Sequence, residues 1–148
     1  SFGETRTLSD EEANSLGPLP RPGAPGTEEV SIKIGAPPAE LTGVLDSVLG
    51  ACSPRDITPR ISGHAGTGVT FVALPGNDEE AQAGVIEQLR EIWVRSGGSV
   101  VVPRAPVSLK KRVEVWGPAG DHLGLSRRVK EKFDPRGVLN PGRFVGGI

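Results

Sequence analysis

The sequence contains no methionine and only one cysteine, Cys52. A single cysteine excludes an internal disulfide and a metal site built from cysteines, and it favours an intracellular, reducing environment. No apolar run approaches the roughly 18 residues that a membrane-spanning helix needs, and no signal peptide is evident. Because the chain lacks methionine and begins at Ser1, we expect it to be a piece of a longer protein.

The charges are distributed unevenly along the chain. Residues 1–103 carry 7 basic and 14 acidic side chains, whereas residues 104–148 carry 10 basic and 4 acidic ones. The C-terminal third would therefore attract an anionic partner, although a solvated basic helix face explains the same charges. Aromatic side chains interleaved with basic ones, which are typical of single-strand binding, are missing, so we predict no nucleic-acid partner.

The glycines and prolines divide the chain into two parts. Residues 17–26 contain seven of them in ten positions, a density that excludes a helix or a central strand. We therefore predict an N-terminal stub and linker over residues 1–26 and a folded domain over residues 27–148.

From Val30 onward the hydrophobic pattern is that of an α+β domain. The predicted elements are a strand at 30–34, a helix from Pro37 to near Gly50, strands at 57–61 and 69–74, a helix capped by Asn77, and a strand at 100–102. This βαββαβ order is the split βαβ arrangement of ferredoxin-like folds, an antiparallel sheet with both helices on one face. A C-terminal helix from about His122 to Phe133 and a tail follow.

The tail combines two X-Pro turns. Asp134 before Pro135 can cap a turn, and Asn140 before Pro141-Gly142 exposes backbone donors on a rigid bend. We interpret this segment as a loop that meets a binding partner. Since proline biases the preceding residue toward extended geometry, we expect Asn140 to be extended.

The run from Arg128 to Arg143 resembles the C-terminal signature of FAD-linked oxidases of the vanillyl-alcohol oxidase type, typically Lys-x-x-Phe-Asp-Pro-x-Gly-(Ile/Leu/Val)-Leu-Asn-Pro-Gly. Within that superfamily, residues 27–148 are similar to the FAD-binding E-type subunit of bacterial glycolate oxidase. The stretches that carry this second resemblance are Arg104-Ala-Pro106, Leu109-Lys110, Val115-Trp116-Gly117-Pro118 and the ending Phe144-Val-Gly-Gly-Ile148.

The resemblance implies a parent protein with an N-terminal FAD-binding domain and a C-terminal cap domain like this one. Such enzymes oxidise small 2-hydroxy acids, such as glycolate, by hydride transfer to flavin N5. It also implies that Asn140, Pro141, Gly142 and Arg143 face the cofactor, and that this fragment alone is inactive and binds FAD weakly or not at all. Partner flavoprotein and iron-sulfur subunits are implied as well, in the cytoplasm or attached to a membrane through those subunits.

The sequence departs from the relatives that have a metal-assisted site. Those relatives resemble Gly-His-x-Gly-Asp-Gly-Asn-x-His on the hairpin, of which His64 is kept while Phe71 stands in place of the second histidine. Pro103 and Arg104 replace a Glu-His pair, so we expect no catalytic metal. Arg104 and His64 remain candidate contacts for the substrate or another anion, although the alternative is simpler, a surface arginine with an acidic neighbour and a turn histidine.

Two other functions remain open at this point. The domain would be a non-catalytic assembly module if its sheet and basic tail only dock a partner flavoprotein and an iron-sulfur subunit. A ligand-sensing ferredoxin-like domain would explain the element order, but it leaves the Phe-Asp-Pro and Asn-Pro-Gly motifs without a purpose.

Overall fold

The fold is described from a computed structural model, which defines residues 29–148 together with Ser9 and Glu11. The predicted stub and linker, residues 1–26, lie outside the described residues apart from those two positions. No helix among the described residues is long and apolar enough to cross a membrane.

Four strands form one antiparallel sheet: β1 (Val30–Gly35), β2 (Arg60–His64), β3 (Val69–Leu74) and β4 (Ser99–Arg104). Their order across the sheet is β2-β3-β1-β4, so β1 and β3 are central. This is the arrangement expected of a split βαβ fold, and the predicted α+β class is confirmed.

Two long helices, α1 (Leu41–Cys52) and α2 (Glu79–Trp93), contact each other and bury their apolar stripes with the sheet. The alternation along β1 leaves Val30, Ile32 and Ile34 fully buried in this core. Cys52, the last residue of α1, is 1% exposed, and burial raises the pKa of its thiol to about 11 against a weaker opposing effect of Arg55. The cysteine is therefore a core residue.

The strand predicted at 57–61 is shifted in the structure. Asp56 has a left-handed backbone (φ 53°), and the Ile57 amide donates to the Cys52 carbonyl at 3.3 Å, so residues 57–59 still belong to the helix-to-strand turn. Pairing with β3 begins at Arg60 and continues through His64. The β2–β3 connection is consequently shorter than predicted, and it contains a single 3-10 turn at Ala65–Thr67.

Gly68 ends that connection and must be glycine. Its φ is +67°, and a Cβ there would lie 1.9 Å from the Ala36 carbonyl oxygen. Its own carbonyl accepts a hydrogen bond from the Ala36 amide at 2.9 Å. The β2–β3 turn is thereby fixed against the end of β1.

The predicted cap of the second helix was wrong by one residue. The N-cap of α2 is Asp78, whose Oδ1 accepts from the Ala81 amide at 3.0 Å. Aspartate and asparagine cap helices about equally well, so the sequence did not show which of Asn77 and Asp78 is the N-cap.

Two shorter helices follow the sheet. The segment predicted only as a connector contains α3 (Val107–Arg112), which buries Leu109 in the core. The C-terminal helix α4 spans Leu123–Phe133, one residue shorter at its start than predicted. Between them, the Val115 carbonyl accepts from the Val102 amide at 2.8 Å and so covers part of the outer edge of β4.

Candidate functional site

Helix α4 exposes its apolar side. Leu125, Val129 and Phe133, spaced four residues apart, are 58%, 49% and 79% exposed, and no residue of α4 is buried. Residues at this spacing form one stripe along a helix. An amphipathic helix normally buries such a stripe, so this surface has the character of an interaction site.

The tail is tied to the end of α4 by one carboxylate. Asp134 is 7% exposed, and its two oxygens accept hydrogen bonds from the Val138 and Leu139 amides, each at 2.9 Å. Lys130 Nζ lies 2.6 Å from Asp134 Oδ2 and also donates to the Leu139 carbonyl. The hydrogen bond from Lys130, followed by those from the two amides, holds the pKa of Asp134 at about 2. The turn-capping role predicted for Asp134 agrees with this geometry.

Residues 140–143 form a tight turn directly after this clamp. The Arg143 amide donates to the Asn140 carbonyl at 3.2 Å, with Pro141 and Gly142 (φ +71°) in the two central positions. A positive φ at the third position and proline at the second are typical of a type II turn. All four residues are exposed.

The backbone of Asn140 differs from the prediction of an extended geometry. Its φ is +46°, in the left-handed region. The following proline disfavours the right-handed helical region for Asn140, and asparagine is among the few residues that tolerate the left-handed one. The chain therefore reverses direction at Asn140 and brings Arg143 back toward the body of the domain.

Trp116 receives the returning tail. Its Nε1 donates to the Arg143 carbonyl at 3.1 Å, and its ring meets that of Phe144 edge-on, with 5.2 Å between the centroids. The tail is thus fixed at both ends of the 140–143 turn, by Asp134 before it and by Trp116 after it.

Between α4 and the tail lies a groove of about 750 Å³, which we call the tail groove. Its walls are the exposed stripe of α4 on one side and Leu139, Phe144 and Ile148 on the other. Its polar lining residues are Ser126, Lys130, Asp134, Asn140 and Arg143. A mostly apolar groove with a few polar groups and two cations suits a flat organic ligand or an apolar protein surface.

The structure does not bring the other two candidate residues to this groove. His64 is exposed at the end of β2, in register with Val69, whereas Arg104 ends β4 opposite Ser31. Along β1 these positions are four residues apart, roughly 13 Å at a strand's rise. Arg104 instead lines a separate cavity of about 470 Å³, together with Glu29 and Glu79.

No cluster of three or more histidine, cysteine or carboxylate side chains suited to a metal ion occurs among the described residues. His64 and Phe71 lie on the same face of the β2–β3 pair, because His64 is in register with Val69 and Phe71 with Ser62. The phenylalanine is therefore the diagonal neighbour of the imidazole across the two strands, and its side chain offers no metal ligand.

The sequence analysis did not predict a role for two residues of this site, Lys130 and Trp116. Lys130 lies four residues before Asp134, so a helical ion pair was available as a signal. Trp116 lies 27 residues from Arg143, and no local pattern links them.

The C-terminal part of this domain is similar to a known protein family. Residues 111–144 match the family of FAD linked oxidases, C-terminal domain. The matched segment includes Trp116, the Lys130–Asp134 pair and the 140–143 turn. The family match and the tail groove thus involve the same part of the chain.

Two relatives extend the similarity over more of the domain. Both come from Mycobacterium tuberculosis, strains CDC 1551 / Oshkosh and ATCC 25618 / H37Rv, and each is named an uncharacterized FAD-linked oxidoreductase. Each is 29% identical over 114 residues, which cover 74% of this chain and 24% of the relative. The chain thus spans about a quarter of the length of the curated relatives it matches. No solved structure matches it significantly.

Proposed function

We propose that this chain is the C-terminal domain of an FAD-dependent oxidoreductase and that its tail groove packs against the flavin-binding part of a longer chain. The observation that carries the proposal is that all residues lining the exposed groove, apart from Ile148, lie within the segment that matches the FAD-linked oxidase family. The exposed stripe of α4 would be buried once the remaining three-quarters of such a protein is present.

The described residues fit one side of a flavin. The tail groove offers apolar walls for a ring system, and the turn at Asn140, Pro141, Gly142 and Arg143 offers polar groups at its rim. The glycine-rich segment 63–68 leads into β3 and not into a helix N-terminus, so it does not form a phosphate cradle. The pyrophosphate of FAD would therefore be held by the rest of the longer chain.

The substrate in this proposal is a small 2-hydroxy acid such as glycolate, as the similarity to the E-type subunit of glycolate oxidase implies. Bound FAD would supply the acceptor for the hydride of the hydroxyl-bearing carbon, and this domain would orient the substrate and exclude water. His64 and Arg104 lie at opposite ends of the sheet, so a two-carbon acid can touch only one of them.

An assembly role is the second candidate. The same stripe of α4 that would cover a flavin domain could dock a partner flavoprotein or an iron-sulfur subunit, because the positive charges of Arg128 and Lys132 lie along one side of it. In this case the domain would hold subunits together and take no part in hydride transfer.

The test uses the protein expressed from the complete reading frame of the gene. We expect it to purify with bound FAD and to lose its yellow colour when glycolate is added without oxygen. Phe133→Glu in the groove should lower the FAD content, whereas Val107→Glu, at a 70% exposed site on α3, should not. A longer chain without FAD would refute the proposal, and bound FAD that glycolate does not reduce would favour the assembly role.

A further inference from the structure

Two residues that line the tail groove are held by a residue that does not line it. Arg143 and Phe144 belong to the wall of the groove. Trp116 donates from Nε1 to the Arg143 carbonyl at 3.1 Å, and its ring lies edge-on to the Phe144 ring with 5.2 Å between the centroids. The indole itself lines a separate cavity of about 360 Å³, which it shares with Phe144. Any influence of Trp116 on the groove is therefore transmitted through these two residues.

Trp116 lies in a segment that is fixed to the edge of the sheet. Before it, the Val115 carbonyl accepts a hydrogen bond from the Val102 amide of β4 at 2.8 Å. After it, Gly117 has a φ of +79°, and a Cβ there would lie 3.2 Å from the Val100 carbonyl oxygen, closer than an ordinary contact. The indole therefore projects from a backbone that lies tightly against β4.

The tail has few other contacts with the core of the domain. No residue of α4 is buried, and within residues 134–148 only Asp134 and Val145 are buried. The Asp134 carboxylate bonds to α4 and to the tail itself, so it does not connect the tail to the sheet. In the part of the chain that the structure describes, the hydrogen bond from Trp116 is thus the direct polar link between the 140–143 turn and the edge of the sheet.

The two residues that Trp116 holds supply different groups to the groove. Phe144 is part of its apolar wall, whereas the Arg143 guanidinium makes no ion pair with any residue that the structure describes. Lys130, the other cation of the groove, is paired with Asp134. Once the groove is covered, the guanidinium needs a partner at a definite place, because burying an unpaired charge is costly. The position of Arg143 therefore affects binding more than that of a side chain left in water.

We propose that Trp116 is a positioning residue for the cofactor, because through Arg143 and Phe144 it fixes the 140–143 turn where the turn meets the flavin. This inference rests on the proposed function, in which the tail groove faces the flavin-binding part of a longer chain. Trp116 itself touches neither the cofactor nor the substrate. Its loss should let the turn move and so weaken FAD binding, since part of the binding energy is then used to order the turn.

The experiment uses the protein expressed from the complete reading frame and three measurements. These are the Kd of FAD for the apoprotein, the visible circular dichroism of the bound flavin, and thermal melts of the apoprotein. Trp116→Phe removes the indole N–H and keeps an aromatic ring, whereas Trp116→Leu removes both contacts. The matched control is Trp93→Phe, the same chemical change at the other tryptophan of this chain. The Trp93 indole is buried in the core and donates to Ser47 Oγ at 2.9 Å.

We expect Trp116→Phe to raise the Kd of FAD by about 3- to 10-fold, the range for one lost neutral hydrogen bond. Trp116→Leu should raise it by about 10- to 100-fold in total, since an aromatic pair contributes a similar amount. Both variants should alter the flavin dichroism, because the groups around the ring shift. Their apoprotein melts should stay close to that of the unaltered protein, since water replaces the lost donor at this 40% exposed site.

Trp93→Phe should do the reverse. We expect it to lower the melting temperature, because the buried Ser47 hydroxyl loses its donor, and to leave the Kd of FAD and the flavin dichroism unchanged. A merely structural role of Trp116 would not produce this separation between cofactor binding and stability.

Three outcomes would overturn the inference. Equal FAD affinity in all the variants would show that the turn is fixed without Trp116. A loss of affinity in Trp93→Phe as large as in Trp116→Phe would show that FAD binding only follows the stability of the domain, and this comparison holds even if Trp116→Leu does not fold. A raised Kd with unchanged dichroism in Trp116→Phe would show that the turn does not border the flavin ring. An unaltered protein without FAD would instead refute the proposed function itself.

Discussion

Lys130 and Asp134 lie one helical turn apart where α4 ends, and their contact at 2.6 Å fixes the loop between α4 and the 140–143 turn. The lysine also donates to the carbonyl of Leu139, whose amide donates to the same aspartate. Both backbone groups of Leu139 are therefore tied to the helix. Because Asn140 comes next, this pair determines where the turn is presented at the rim of the tail groove.

The Asp134 clamp should open in acid. The pKa of Asp134 is about 2 in the folded chain against an ordinary value of 3.8, so the native contacts favour the ionised carboxylate. A lowered pKa contributes stability above the ordinary value, and this contribution is lost as the pH falls from about 4 through about 2. We expect the amide proton shifts of Val138 and Leu139 to titrate near pH 2 in NMR spectra.

Asp134→Asn should remove this titration and speed hydrogen exchange at both amides at neutral pH, since the charge-assisted bonds are lost. Asp121→Asn, at an exposed aspartate before α4, is the matched control and should leave both amides unchanged. If the two amides titrate near pH 4 in the unaltered chain, the carboxylate is not held as the structure describes.

The exposed stripe of α4 should make this chain associate by itself. We expect it to bind a hydrophobic dye and to form dimers or larger species as its concentration rises, because no described residue covers Leu125, Val129 or Phe133. Phe133→Gln should reduce both effects and change the free energy of unfolding by less than about 0.5 kcal/mol, as at other surface sites. Dye fluorescence, sedimentation velocity and denaturant melts measure these quantities.

A substitution in the core serves as the comparison for Phe133→Gln. Ile86→Ala, at a fully buried position of α2, should cost about 2 to 5 kcal/mol without lowering dye binding by the folded chain. A comparable loss of stability in Phe133→Gln would mean that the stripe of α4 is packed within this domain.

Cys52 should resist thiol reagents in the folded state. Its pKa of about 11 leaves about one thiol in a thousand ionised at pH 8, and the side chain is buried. We expect negligible labelling by Ellman's reagent in native buffer and complete labelling in guanidinium chloride. Since the pKa is raised above 9.0, the contribution of the neutral thiol to stability is lost as the pH rises from about 9 through about 11. Rapid labelling under native conditions would contradict this description.

The regular part of the fold was predictable because its signals are local and periodic. The alternation at 30–34 and the three-and-four spacing of the helices each specify one buried face, and together they determine the βαββαβ order. The error at 57–61 arose because Ile57 has the composition of a strand residue while its amide is occupied by the Cys52 carbonyl. A competing hydrogen bond of this kind is not visible in a hydrophobic pattern.

The candidate site was predictable only in part. The motif at 134–143 showed which segment of the chain forms the site. Two features that shape this segment were not predictable: Trp116, distant in sequence, contacts Arg143, and Asn140 has a left-handed backbone.

Asn140 combines an unusual backbone with a proposed cofactor contact, and two substitutions can separate these roles. Its side chain makes no hydrogen bond with any described residue, so its present structural contribution is the tolerance of φ +46°. Alanine tolerates that conformation poorly, whereas glycine adopts it freely, and both remove the amide group.

In this chain, Asn140→Ala should lower the free energy of unfolding by about 1 kcal/mol because of the left-handed backbone, and Asn140→Gly should change it by less than about 0.5 kcal/mol. Denaturant melts would measure both values.

In the longer chain, the two variants should lose FAD to a similar extent if the amide group contacts the flavin, since both variants lack that group. Loss of FAD in the alanine variant alone would show that only the shape of the turn matters. A cost above about 2 kcal/mol for both variants in this chain would instead make Asn140 a structural clamp, because that is the range for a buried hydrogen-bonding group left without its partner.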